Sequence, residues 1–64
     1  MKKQDAGLNR FNVKCIRNDG YAGSLIVGHI YEAFRGQMGV LGVIDEEGES
    51  YIYPDEYFEI QAET

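Results

Sequence analysis

Phe11-Asn12-Val13-Lys14-Cys15-Ile16-Arg17 opens the ordered pattern of the chain. Phe11, Val13 and Cys15 share one face, and Asn12, Lys14 and Arg17 are kept off it. Period-two alternation is the signal of a half-buried strand. Ile16 breaks the alternation and is placed over an end of the fold. Asn18-Asp19-Gly20 then predicts a turn, with Gly20 free to take positive φ. Tyr21 to His29 has too many glycines for a helix and too few polar residues for disorder, so it is predicted as a long excursion. Within it, Leu25 and Val27 are expected to point inward. Ile30 to Phe34 is the second predicted strand, Arg35 to Gly39 a turn, and Val40 to Asp45 the third strand. Gly42 inside that strand predicts a bulge or a close approach. Glu46-Glu47-Gly48 closes a hairpin, with Gly48 at the left-handed position. Ser50 to Tyr53 is the fourth strand. Pro54 has no N–H to give to a ladder and ends it. Asp55 to Tyr57 is one turn of tight helix, and Phe58 to Ile60 is the last strand. The expected core is Val13, Cys15, Leu25, Val27, Ile30, Val43, Ile52 and Phe58. Residues 1–10 are read as a flexible N-terminal arm, 11–60 as one all-β domain and 61–64 as a tail.

Two stretches carry a resemblance. Ile26-Val27-Gly28-His29-Ile30-Tyr31-Glu32 is similar to the turn into the second strand of Src-homology-3 barrels. Gly48-Glu49-Ser50-Tyr51-Ile52-Tyr53-Pro54-Asp55-Glu56-Tyr57-Phe58 resembles the glycine, strand, proline, tyrosine, apolar ending of those domains. The fold this implies is a small five-stranded Src-homology-3-like barrel. The skeleton of Val13 to Ile60 also resembles a group of short, mostly uncharacterised proteins of Firmicute bacteria and their phages, which share no agreed chemistry. In Src-homology-3 domains a proline and a tyrosine after the fourth strand help line a groove for proline-rich peptides. By position these would be Pro54 and Tyr57. The chain has no tryptophan, and the opening alanine-leucine-tyrosine motif is missing. The resemblance therefore implies a groove in that place and not proline-rich ligands.

Size constrains what can hold the fold together. A chain of 64 residues buries only about 60% of its unfolded surface. Cys15 is the lone cysteine, so no internal disulfide can form. Cys15 and His29 cannot supply a four-ligand zinc site. Packing must do the work, in one copy or between two. No stretch is apolar for about 18–20 residues, as a membrane span requires. The lysines at positions 2 and 3 are followed by no apolar run, so no signal peptide is expected. A lone thiol without an export signal points to a reducing cytoplasm.

The formal net charge of −5 is unevenly spread. Met1 to Arg17 holds five basic residues and one acid, whereas Asp45 to Thr64 holds eight acids and no base. An acidic chain lacks the positive footprint of general phosphate binding. Direct nucleic-acid binding is not expected. The acids fit solubility or a partner with a basic surface.

Candidate chemistry is sparse. Cys15 falls on the apolar phase and is expected to be buried and inert. His29 has no activated Ser, Cys or Thr beside it in sequence, so it is expected at the surface rather than as a general base. Asp45, Glu46, Glu47 and Glu49 crowd one hairpin tip without the ligand spacing of a calcium loop. No catalytic, metal or cofactor residue is expected. Five tyrosines remain, at positions 21, 31, 51, 53 and 57. Tyr51 and Tyr53 share one face of the fourth strand and Ile52 the other. With Ile52 inward, the two tyrosines form an exposed pair, and exposed aromatics are interface candidates. The expected contact surface is Tyr51, Tyr53, Pro54 and Tyr57 with Glu47 and Glu49. The leading expectation is a non-enzymatic protein-interaction module, a bacterial or phage modulator of a host protein. The alternatives are an acidic mimic that blocks a nucleic-acid-binding protein, and a structural homodimer.

Overall fold

Alternation along the chain becomes five short strands in the computed structural model, which describes residues 10–61. They are β1 (Arg10–Cys15), β2 (Ile30–Arg35), β3 (Leu41–Ile44), β4 (Ser50–Ile52) and β5 (Phe58–Ile60). All pair antiparallel in one sheet of order β4-β3-β2-β1-β5. Two short 3-10 turns, Gln37–Gly39 and Asp55–Tyr57, complete the described elements. The second is the tight turn expected after Pro54, which caps it. The expected arm loses its last residue, because Arg10 pairs with Phe34 at the start of β1. The rest of the arm, residues 1–9, and residues 62–64 of the tail lie outside the described residues.

The sheet is open in hydrogen-bonding terms. β4 and β5 are its edges, and no ladder joins them. Side chains bring the two ends over one core instead. Tyr53, just past β4, meets Phe58 at the start of β5 with ring centroids 5.9 Å apart. Next to Phe58, the Tyr57 carbonyl accepts from Ile16 N–H at 2.8 Å, which ties the tight turn to the end of β1.

Register decides which side chains are inside. Directly opposed residues of an antiparallel pair share a face. Val13 is buried and lies opposite Tyr31, and Ala33 lies opposite Val43. The core is Val13, Cys15, Leu25, Tyr31, Ala33, Leu41, Val43, Tyr53 and Phe58, with Phe11 and Tyr57 packed against it. Three expected core residues are therefore corrected. Ile30 is out because Tyr31 takes the inner phase of β2. Ile52 is out because it opposes Gly42 on the outer face. Val27 is out because the loop turns at Gly28 (φ 96°) and delivers only Leu25 inward.

The loop from Ile16 to His29 is structured. Leu25 N–H donates to Tyr21 O at 2.9 Å, and the Asn18 side-chain amide donates to Leu25 O at 2.9 Å. These bonds hold Leu25, fully buried, as a plug under the sheet. Cys15 is equally buried. Burial pushes its thiol up, despite the Sγ bond to Arg17 O at 3.1 Å, so it resists becoming the reactive thiolate.

Gly48 carries the tip of the β3–β4 hairpin at φ 79°. A Cβ there would meet nothing within 4 Å, so the constraint is purely backbone. Gly48→Val should cost about 1–2 kcal/mol, because a branched residue resists the left-handed region, whereas Gly48→Asn should cost clearly less. Urea melts of the two variants test this, and equal midpoints would refute it.

Candidate functional site

The hairpin between β3 and β4 is built around a buried acid. Asp45 is 5% exposed. Its Oδ1 accepts the backbone N–H of Glu47 at 3.0 Å and of Glu49 at 3.2 Å. Its Oδ2 accepts the Tyr53 hydroxyl at 2.8 Å. A buried carboxylate is tolerable only when such donors surround it. The three bonds fix the turn and also fix the ring of Tyr53.

Tyr53 is the floor of a cleft. Tyr21, from the long loop, meets it at a centroid distance of 5.0 Å and an interplanar angle of 86°. Tyr51 meets it at 6.4 Å and 74°. Tyr21 also meets Tyr57 at 5.8 Å. The space between Tyr21 and Tyr51 measures about 380 Å³ and is also bounded by Ser24, Glu47 and Ile52. Tyr51 donates to Glu49 at 3.2 Å, which pushes its phenol pKa up. Pro54 opens the tight turn that places Tyr57, and the Tyr57 hydroxyl donates to Asp19 O at 2.9 Å.

Of the expected contact residues, Tyr51 and Glu47 line the cleft, Glu49 meets it through the Tyr51 hydroxyl and Tyr57 through the ring of Tyr21, whereas Pro54 is not among the lining residues. Tyr53 is corrected, since it is 4% exposed and forms the floor of the cleft rather than half of an exposed pair. The tyrosine face of β4 is the inner one. Tyr51 lies on the same face, opposite Val43, yet remains 53% exposed. Tyr21 was not expected in the site. Its position after the Asn18-Asp19-Gly20 turn gives no hint of the cleft, because only the folding of the loop over β4 brings it there.

A second network pins the loop. Glu46 Oε2 accepts from the Tyr31 hydroxyl at 2.7 Å and lies 2.8 Å from His29 Nδ1. The Tyr31 oxygen accepts from Ile26 N–H at 2.9 Å, and Glu46 N–H donates to Ser24 O at 2.9 Å. Bonding from Tyr31 and then His29 holds the Glu46 carboxyl below its ordinary range. His29 itself is exposed.

The outer face of the sheet carries an apolar groove of about 620 Å³. The Phe34 ring covers Gly42, where a Cβ would stand 2.6 Å from it. Ile52 and Met38 border the groove, with Met38 99% exposed at φ 59°. Gly42 is thus the close approach expected in the third strand.

Among the described residues no group of three or more His, Cys, Asp or Glu gathers to hold a metal ion, and no helix is long and apolar enough to cross a membrane. Comparison of the chain with protein-family models, curated proteins and solved structures finds no match.

The two buried phenols set a pH limit. Burial, followed by the bond to Asp45, pushes Tyr53 up to about 12, and burial with the bond to Glu46 does the same for Tyr31. Both folded values lie above the ordinary 10.0. The stabilisation is therefore complete below the ordinary value and is lost as pH rises toward the folded one. Glu46 acts in the opposite direction, losing its contribution as pH falls through its lowered folded value. Tyr31 and Tyr53 should ionise only as the chain unfolds. Phenolate absorbance and circular dichroism followed together through alkaline pH check this. Ionisation of all five tyrosines with intact dichroism would overturn it.

Proposed function

We propose that the chain is a non-enzymatic protein-interaction module of the Src-homology-3-like barrel type, and that the tyrosine cleft is its contact surface. The observation that carries the proposal is the convergence of Tyr21, Tyr51 and Tyr53 around one cleft beside Glu47, with Tyr57 packed on Tyr21 from the other side. Large rings backed by a rigid floor suit a binding surface, because they offer contact area without ordering many torsions. The strand order, the long loop after β1 and the ring contact from Tyr53 to Phe58 support the barrel. The skeleton shared with short Firmicute and phage proteins supports a modulator of a host protein, working in the cytoplasm of a bacterial or phage-infected cell. The partner's contact surface is basic, because Glu47 lines the cleft and Glu49 holds the Tyr51 hydroxyl at its edge.

The test uses a partner recovered by affinity capture from the source cell. Because Tyr53 is core, the informative variant is Tyr51→Ala. It should weaken binding by about 2 kcal/mol, as expected of a central aromatic contact, with unchanged circular dichroism. Glu47→Lys should slow association and flatten its salt dependence. Full-strength binding by both variants would place the site elsewhere.

The alternative of a structural homodimer draws on the opposite face, where Phe34, Ile52 and Met38 expose apolar surface. It requires sedimentation that rises with concentration and is suppressed by Ile52→Lys. Concentration-independent monomeric sedimentation would remove it.

A further inference from the structure

Arg17 shows, within the chain, what this tyrosine cluster accepts. Its guanidinium carbon lies 5.2 Å from the centroid of Tyr57, and its Nη2 pairs with Asp19. Ring and carboxylate together hold one cation at one end of the cluster. The same two ingredients recur on the far side of Tyr21. There the rings of Tyr21 and Tyr51 stand steeply on Tyr53, and Glu47 lines the same space. No lysine or arginine lines it. Among the described residues Arg10, Arg17 and Arg35 each pair with an acid elsewhere, and Glu47 takes part in no ion pair.

We propose that the cleft between Tyr21 and Tyr51 is a slot for an arginine side chain of the partner protein. Resting on the interaction-module reading above, the proposal names the chemistry of the recognised group. The guanidinium would lie against the ring of Tyr21 or Tyr51 and reach Glu47 with its N–H groups. A planar cation stacks on an aromatic face and forks to a carboxylate in one pose, which an ammonium cannot do. Ring faces attract cations through their quadrupole. The Tyr51 and Tyr53 hydroxyls both donate to carboxylates, Glu49 and Asp45, which adds electron density to those rings. An anionic group would meet Glu47 and Glu49. A purely apolar group would desolvate Glu47 without compensating it.

The experiment is an NMR amide-shift titration of the full chain with capped glycine tripeptides. Their central residue is arginine, lysine or citrulline, and citrulline keeps the shape of arginine without its charge. The arginine peptide should give saturating shifts centred on Tyr21, Ser24, Glu47 and Tyr51. Lysine should bind at least about threefold more weakly, and citrulline should give no saturation. Glu47→Gln should weaken the arginine peptide about five- to tenfold, as for loss of a charge-assisted bond. Tyr51→Leu should abolish binding with the rest of the spectrum retained. Absence of saturating shifts, equal binding of citrulline, or shifts centred away from the cleft would overturn the slot. The two proposals fail separately. Loss of partner binding in Tyr51→Ala without arginine preference in the tripeptides overturns the slot and keeps the module. Arginine preference together with a partner indifferent to Tyr51→Ala keeps the slot and overturns the cleft as the partner's surface.

Discussion

The Asp45 carboxylate is the interaction on which the remainder of the molecule depends. It is a charge taken out of water at the end of β3, held by two backbone N–H groups and one phenol. Breaking a buried charge away from its donors is far more costly than the net gain of any one of those bonds. The turn, the phase of β4 and the position of the Tyr53 ring are consequently one decision. Tyr53 then receives Tyr21 and Tyr51 from above and Phe58 from the side. In this way a single acid couples the hairpin, the long loop and the last strand.

Glu46, the next residue, does a related task from the solvent side. It reaches the Tyr31 hydroxyl at the rim of the core and holds His29 and the Ser24 backbone. Glu46 therefore clamps the long loop directly, whereas Asp45 reaches it only through the Tyr53 ring on which Tyr21 packs. The Tyr21 wall of the cleft inherits its rigidity from both. Binding to such a wall loses little conformational entropy, which is what preorganised sites exploit.

The boundaries of the elements were legible in the sequence because turn chemistry is local. Gly20, Gly48 and Pro54 each impose a backbone state by themselves, and all three act as expected. The phases of β2 and β4 were not legible. Ile30-Tyr31 and Tyr51-Ile52-Tyr53 place apolar bulk on both faces, so alternation carries no information there. The decision came from across the sheet. Gly42 leaves room only for the Phe34 ring, and Ile52 opposes Gly42 on that outer face. Asp45 was hidden for a related reason. Hydropathy assigns an acid to solvent, and the local N–H groups of Glu47 and Glu49 satisfy only one of its oxygens, so the placement of Tyr53 is needed to supply the donor for the other. Of the site, Tyr51, Tyr57, Glu47 and Glu49 were visible as a local cluster, whereas Tyr21 reaches them only through long-range folding.

The placement of β1 between β2 and β5 governs the order of assembly. Gln61 N–H donates to Asn12 O at 2.9 Å, so the last described residue completes a ladder begun by nearly the first. Until β5 docks, β1 has one neighbour and an uncovered edge. Pairings of such wide sequence separation are slow to form, because loop closure must precede their reward. The β1–β5 ladder is therefore the late step of folding, closing after the local β2–β3 and β3–β4 hairpins.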